Sequence, residues 1–514
     1  MPAAPTSTNP EIKEDRKKRA ARALAVLIPL CLTTWVSTLD GMAQMPVDSA
    51  TSPVAQCAAP NYGCARTDSA VIPLDPLPDW KGLRGAGTIF TDPSFNSSYP
   101  PKYVRVTDAS THNGDSFSVG DGNGDDSHFN LDDTLLWLAN NGNAIFVFGL
   151  VPATMQVGLV SQLAVETYCC NGQWSQINRN IFYTMTRDDK LWRLDFSGLS
   201  TASPGSPKAM LVYDFAANCG VRSVTLQNFG GIGGSDSVFT ATFGHHETGT
   251  KVAAFNSSSN TCYLYDTAAG TVTEYPGGTS LGSVTSKDRF TIHGAHGYGE
   301  GNWVLVTRGG TSCPSCAIYH AWQIGTATVN DCVTWCSGHW TETASGWFND
   351  DRAGATHSPS MLFRTSANFS TSTILQLNTG NASVDESLET HPSAKNDPLG
   401  THSYPIFAST NAPSTSKPYS NEVVAWPQAP GKVLRFGHTF SSGQSANFQA
   451  KIAVGAVSST GKFYAFTTDG EGTLGNADGV HSTCLLLVGT CRSDVFILNL
   501  TGNSLTDTPP RSGP

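Results

Sequence analysis

Beyond residue 45 the apolar positions follow no sustained helical period. They gather instead into short runs of β-branched and aromatic residues, separated by clusters of Gly, Asn, Asp and Ser. That alternation is the pattern of short strands and turns. The runs come in pairs joined across a turn. The first pairs are Leu135–Leu138 with Ala144–Phe148, Ile181–Thr186 with Lys190–Phe196, and Val238–Phe243 with Cys262–Asp266. Then follow Trp303–Thr307 with Ala317–Gln323, and Met361–Arg364 with Thr373–Asn378. The last are Tyr404–Ser409 with Glu422–Trp426, and Lys462–Thr468 with Asp494–Leu500.

Seven paired units in about 370 residues give a period of roughly 50, close to that of repeated four-stranded blades. The expected fold is therefore all-β: a single β-propeller of seven four-stranded blades with disulfide-clipped loops. A pair of β-sandwiches is the structural rival. The propeller is placed at residues 100–503, after an N-terminal extension or linker at 44–99 and before a C-terminal tail at 504–514.

The first 43 residues have a different character. A basic cluster, Arg16 to Arg22, precedes the apolar run Ala23–Val36, and small residues surround Ala43. The run is short for a membrane span, which needs about 20 apolar residues. Residues 1–43 read as a secretory signal peptide cleaved after Ala43, and an uncleaved anchor is the alternative. The expected location is secreted or periplasmic, with no membrane association after cleavage. Cysteine usage agrees: the chain has 13 Cys, and setting Cys31 aside leaves an even number, as an oxidising compartment favours. Cys57/Cys64, Cys313/Cys316, Cys332/Cys336 and Cys484/Cys491 are close enough to clip loops, and Cys219 with Cys262 suits neighbouring strands.

Composition narrows the function classes. Charged residues make up only 14% of the 514-residue chain, and the net charge is −10. No basic face is available for nucleic acid. No Walker or dinucleotide fingerprint occurs, so no nucleotide cofactor is expected. No Gly-x-Ser-x-Gly elbow marks an α/β-hydrolase. The surface expected from so much Ser, Thr, Gly and Asn suits a polysaccharide or another extracellular ligand, and a monomer is expected.

Lys190-Leu-Trp-Arg-Leu-Asp195, Ser493-Asp-Val-Phe-Ile-Leu-Asn499 and Ser459-Thr-Gly-Lys-Phe-Tyr-Ala-Phe-Thr467 resemble blades of secreted bacterial propellers of the TolB-like and oligogalacturonate-lyase-like groups. The resemblance lies at the level of fold, and the Trp-Asp signature of WD40 blades is absent. It implies His-rich metal chemistry at the mouth of a seven-bladed ring, with proton abstraction beside a uronate carboxylate followed by β-elimination. The lyases' ligand motif does not align residue by residue, so none of its ligands is carried over.

Histidine is the main chemical signal. Ten of the 13 His lie between residues 245 and 438, several shortly before an apolar strand. Equivalent positions in successive blades converge on the axis, where imidazoles bind a divalent metal or move protons. His293, Tyr298 and Glu300 are the candidate catalytic residues. His296, His339, His391 and His438 are candidate ligands for Mn, Ca or Zn. Trp340, Trp347 and His402 are candidate substrate contacts. Asp121, Asn123 and Asp125 alternate with Gly in a separate segment whose oxygen ligands suit calcium, although the Glu that closes an EF-hand loop is missing. The alternatives are structural: histidines that tie blades together, Trp in the core and an Asx-rich turn. The expected function is a secreted carbohydrate-active enzyme, a polysaccharide lyase or a glycoside hydrolase, and a non-catalytic propeller that binds a glycan or a protein is the rival.

Overall fold

The computed structural model describes residues 57–73, 85–119, 127–141, 144–163, 168–221, 227–232, 234–243, 251–284, 292–298, 303–308, 319–332, 340–343, 346–351, 360–364, 371–376, 389–396, 404–411, 418–427, 432–442, 453–474 and 491–502. Along 168–171, 227–230, 234, 292–298, 307–308, 319, 340, 342–343, 346–351, 360–364, 371–376, 389–391 and 411 only the backbone is described. Chain contacts set apart a unit Met1–Ala50 from a unit Thr51–Pro514, and every described residue belongs to the second. The signal-peptide and C-terminal-tail expectations lie outside the described residues.

The described strands form seven antiparallel sheets. Blade 1 holds Phe117–Ser118, Leu135–Asn140, Ile145–Val151 and Gln156–Gln162. Blade 2 holds Tyr168–Trp174, Ile181–Thr186, Lys190–Asp195 and Lys208–Asp214. Blade 3 has Gln227–Ile232, Val238–Phe243, Lys251–Asn256 and Thr261–Asp266, extended by Thr271–Tyr275 and Thr279–Ser283. Blade 4 is Ile292–Tyr298, Trp303–Arg308, Tyr319–Gln323 and Val329–Asp331. Blade 5 is Trp340–Thr343, Gly346–Asp351, Ser360–Arg364 and Thr371–Gln376. Blade 6 is Glu389–Ser393, Ile406–Asn411, Glu422–Trp426 and Leu434–His438. Blade 7 orders Gly455–Val457, Phe463–Thr468, Asp494–Asn499, Lys102–Arg105 and Ile89–Thr91, so it takes strands from both ends of the body.

The sheets are blades of a propeller because their first strands adjoin in succession. Tyr168–Trp174 lies by Gln227–Ile232, which lies by Ile292–Tyr298, and the series continues through Trp340–Thr343 and Glu389–Ser393 to Gly455–Val457. Hydrogen bonds cross the same boundaries. Ala394 N donates to Thr341 Oγ1 at 3.3 Å, Val457 N to Ser393 Oγ at 3.1 Å, and Val119 N to Thr467 Oγ1 at 2.9 Å. Apolar clusters fill the spaces between blades. Leu135, Trp137 and Val147 of blade 1 pack with Trp174, Phe182 and Leu194 of blade 2.

Each expected strand pair falls in a different sheet. In five pairs the runs are adjacent in their sheet, at its second and third strands. Lys251–Asn256 separates Val238–Phe243 from Thr261–Asp266, and Ser360–Arg364 with Thr371–Gln376 are third and fourth. The expected boundary at residue 100 falls inside blade 7, because Ile89–Thr91 is that blade's outer strand.

Residues 57–73 also pack on the ring. Cys57 and Cys64 form a disulfide. The Tyr62 ring sits edge-on to Phe407 and Phe436, and its hydroxyl donates to Gly461 O at 2.6 Å. Gly461 has φ +71°, and a Cβ there would meet that hydroxyl at 2.5 Å, so the turn requires glycine. A second disulfide, Cys219–Cys262, joins the segment after blade 2 to blade 3. Both pairings match the spacing expectation. Cys332 and Cys491 are also disulfide-bonded, and the Cys313/Cys316 expectation lies outside the described residues.

Blade 7 contains a buried ionic clasp. Asp494 is fully buried and receives Arg105 Nη2 at 2.5 Å, Arg492 Nη2 at 2.8 Å and Thr107 Oγ1 at 3.0 Å. Arg492 Nη1 continues to Gly114 O at 2.7 Å. Removing one member of a buried ionic set strands the others, at a cost of about 3–5 kcal/mol. Asp494→Asn is therefore expected to lower stability by about that amount in denaturant unfolding. A loss below about 0.5 kcal/mol would fit only a surface substitution and would contradict the clasp.

Candidate functional site

The inner strands of blades 4, 5 and 6 are consecutive neighbours. They carry His293, His296 and Tyr298, then Trp340, then His391. His296 pairs in register with Leu305, Tyr298 with Trp303, Trp340 with Asn349 and His391 with Ser409. A register shift falls between Ile292 and Gly294, at His293. Trp347 lies on the second strand of blade 5, opposite Glu342. The backbone thus brings five of the candidates to one arc of the inner ring. Glu300, His339, His402, Asp121, Asn123 and Asp125 lie outside the described residues, as does the His245-His246-Glu247 segment.

His438 departs from its expectation. It ends the outermost strand of blade 6, not an inner one. Its ring is fully buried, with Nδ1 2.9 Å from Asp92 Oδ2 and Nε2 3.3 Å from Ile72 O. Phe95 meets the ring edge-on at a centroid distance of 4.8 Å. Both nitrogens are engaged by protein, so His438 is a structural tie and does not fit a metal-ligand role. The sequence pattern misled because nothing local in Gly437-His-Thr439 records whether its strand is inner or outer.

Other histidines are also paired. His320, on the third strand of blade 4, has Nδ1 2.6 Å from Asp331 Oδ1. His112 Nδ1 lies 2.6 Å from Asp115 Oδ2, and Asn140 Nδ2 donates to the same oxygen at 2.6 Å. His128 is buried, stacks on Trp137 at 4.3 Å and places Nδ1 3.1 Å from Trp137 O. Among the described residues no group of three or more His, Cys, Asp or Glu is arranged to hold a metal ion. Among Mn, Ca and Zn, imidazole donors suit Zn best, and His296 and His391 are the expected metal ligands whose backbone lies on the inner ring.

Several carboxyls stand out, among them Asp133, which the sequence offers as a later oxygen ligand for the Asp121–Asp125 segment. Asp133 is held by Ser458 Oγ at 2.8 Å, by Thr460 N at 3.1 Å and by the Thr460 hydroxyl. Asp236 receives Ser175 Oγ at 2.5 Å, Gln176 N at 3.1 Å and Tyr183 OH at 3.2 Å. Each Asp sits two residues before its blade's second strand, in Asp133-Thr-Leu135 and Asp236-Ser-Val238, with positive φ (61° and 52°). Each grips the corresponding loop of the preceding blade. That repeated Asp-x-apolar spacing is a signal that the sequence contained.

Burial pushes the Asp133 carboxyl up to about 6 despite those donors. Burial, with Asp188 and Asp214 nearby, takes Asp189 up to about 6. Burial and the neighbouring Asp469 take Glu471 up to about 7. Glu471 Oε1 and Asp189 Oδ1 have no hydrogen-bond partner among the described residues. A carboxyl that is protonated near neutrality is suited to donating a proton.

No family model matches the chain, and no curated protein does. Among solved structures, an oligogalacturonate lyase from Vibrio parahaemolyticus aligns at 9% identity with a TM-score of 0.42, covering 80% of this chain and 96% of its own. An oligogalacturonate lyase in complex with manganese aligns at 9% identity with a TM-score of 0.38, covering 82% of this chain and 100% of its own. Likenesses this distant carry no argument about activity, and the blade arrangement above stands on its own.

The raised carboxyls fix a pH dependence. Between their unfolded values and about 6–7 the native state holds protons that the unfolded chain has lost. Their destabilisation is therefore present above that window and relieved as pH falls through it. Asp92 and Asp108 are shifted the other way: hydrogen bonds from His438 and Ser94 to Asp92, and from Ser110 and Ala86 to Asp108, outweigh burial. Their contribution is lost only as pH falls below the ordinary Asp value. The melting temperature is expected to be higher at about pH 5 than at about pH 8, and Asp189→Asn is expected to shrink that difference. Thermal unfolding across pH checks this, and a melting temperature that rises from pH 5 to 8 would contradict it.

Proposed function

We propose that the protein is a secreted or periplasmic carbohydrate-active enzyme whose site is the inner arc of blades 4 to 6. The observation that carries this reading is the succession of three adjoining inner strands bearing His293, His296 and Tyr298, then Trp340, then His391. Blade closure directs such positions to the axis, where one ligand meets several blades at once. The basic and apolar N-terminal segments support export. The disulfides are compatible with an oxidising compartment. No helix among the described residues is long and apolar enough to cross a membrane.

The proposed substrate is an acidic polysaccharide, in line with the lyase-like blade pattern of the sequence. His293 takes the proton from the carbon next to the uronate carboxylate. The electron pair forms the new carbon–carbon double bond as the neighbouring carbon–oxygen bond breaks, and Tyr298 or Glu300 protonates the departing oxygen. Trp340, Trp347 and His402 hold the sugar rings. His296, His339 and His391 would hold a divalent metal, Mn, Ca or Zn, and such a metal supplies charge neutralisation of the carboxylate when bound.

A panel of polysaccharides tests the reading, with unsaturated uronate absorbance and reducing ends followed together. Unsaturated product is expected on an acidic polymer. His293→Ala is expected to lower kcat by on the order of 10²–10⁴-fold, the usual share of a general base. Reducing ends without unsaturation would replace elimination with hydrolysis. Binding without product from any polymer would overturn the enzyme and leave a glycan-binding propeller.

A further inference from the structure

Outer strands of a propeller present unpaired backbone groups, and natural sheets blunt such edges with charge, Pro, bulges or covering segments. Two blades here do so by covering. On blade 1, Gly205 N donates to Val160 O at 2.9 Å. Thr201 lies over the same blade, where Cβ atoms at Gly149 and Gly158 would come within 2.7 Å and 3.1 Å of its methyl. On blade 6, Arg66 and Arg435 exchange backbone hydrogen bonds at 3.0 Å and 2.9 Å.

Blade 2 is different. Its outermost strand, Lys208–Asp214, pairs with Lys190–Asp195, carries one bulge at Val212 beyond Lys208–Leu211, and has no second strand among the described residues. Lys208 to Leu211 are all exposed. Met210 is 52% and Leu211 45% exposed although adjacent residues point to opposite faces of a strand. Ala209-Met210-Leu211-Val212 is an uninterrupted apolar run. The strand is firmly held at its far end, where the Tyr213 ring stacks on Phe255 at 3.8 Å and Asp214 caps the helix Phe215–Asn218.

We propose that this edge pairs antiparallel with the same strand of a second copy of the chain. The segment is complementary to itself. A register centred on Met210 sets Met210 against Met210 and Ala209 against Leu211. Lys208 then faces Val212 and lies diagonal to Asp214 of the second copy, within reach of a long side chain. The two ends carry opposite charge. Asp214 lies beside the Asp188–Asp189 turn, with Phe215 N donating to Asp189 O at 2.9 Å; Lys190, which faces Asp214 and pairs with Asp188, offsets one of these three carboxylates. At the other end Lys208 faces Asp195, whose carboxylate also has Arg193 Nη1 at 3.8 Å. Pairing about a two-fold axis brings the basic end of each strand to the acidic end of the other, and the two exposed apolar runs cover one another. The join is isologous and closes at two copies.

Sedimentation velocity of the mature protein from about 1 to 100 μM tests this, since that range brackets a micromolar dissociation constant. A dimer that grows with concentration is expected. Met210→Lys sets two ammonium groups opposite each other and is expected to leave only monomer. Its melting temperature should stay at the wild-type value, because the side chain is exposed. Ile177→Lys, at an exposed residue of the same blade away from the edge, is expected to leave the dimer intact. Wild type that remains monomeric at the highest concentration overturns the proposal. So does a dimer that survives Met210→Lys, or one lost equally with Ile177→Lys.

Discussion

Closure of the ring rests on one strand pairing. Lys102–Arg105 lies antiparallel to Asp494–Asn499, so the early chain completes the sheet begun by the late chain. The joined residues are more than 380 apart in sequence, and closing so long a loop carries a large entropic cost that local contacts cannot offset. What holds the pairing is a core that spans it. Val104 and Val106 pack with Phe463, Ala465, Val495 and Ile497, and with Phe117 and Leu136 of blade 1. The Arg105–Asp494–Arg492 clasp fixes the register from within that core. Pairing Lys102 with Asn499 and Arg105 with Phe496 puts the Arg105 guanidinium beside the Asp494 carboxylate.

The remaining seams depend on that closure. A blade has apolar side chains on both faces, and each face is dry only while the next blade is in place. Asp133 ties blade 1 to blade 7, Asp236 ties blade 3 to blade 2, and Asn130 Nδ2 ties blade 1 to Arg179 O of blade 2 at 2.8 Å. Residues 57–73 lock the outside of blades 6 and 7. Arg435 is central there, bonded by Nη2 to Glu422 at 2.5 Å and by Nη1 to Asp68 O at 2.8 Å and Ala70 O at 2.9 Å. The expected linker is thus a strap.

The middle strands were legible because the ring buries them on both faces. Ile181–Thr186, Val238–Phe243 and Phe463–Thr468 are buried along their whole length and read as continuous apolar runs. Apart from Thr371–Gln376 of blade 5, inner and outer strands were not legible, for opposite reasons. Inner strands such as Gln227-Asn-Phe-Gly-Gly-Ile232 and Ile292-His-Gly-Ala-His-Gly-Tyr298 are rich in Gly and polar residues and look like turns. Outer strands such as Thr279–Ser283 are largely exposed and carry no alternation. The candidate site was half legible. Histidine clustering drew attention to blades 4 to 6. It did not separate His391, on an inner strand, from His438, on an outer one, because nothing local in Gly437-His-Thr439 records that Asp92 and Ile72 close over the ring.

Native-state hydrogen exchange tests the central role of closure most directly. The amides of Val104, Arg105, Val495 and Ile497 are expected to exchange only by global unfolding, with the same free energy as the middle strands of blades 1 and 2. If they exchange through a cheaper local opening while blades 1 to 6 stay protected, blade 7 is a loose flap and the ring is held shut by something else.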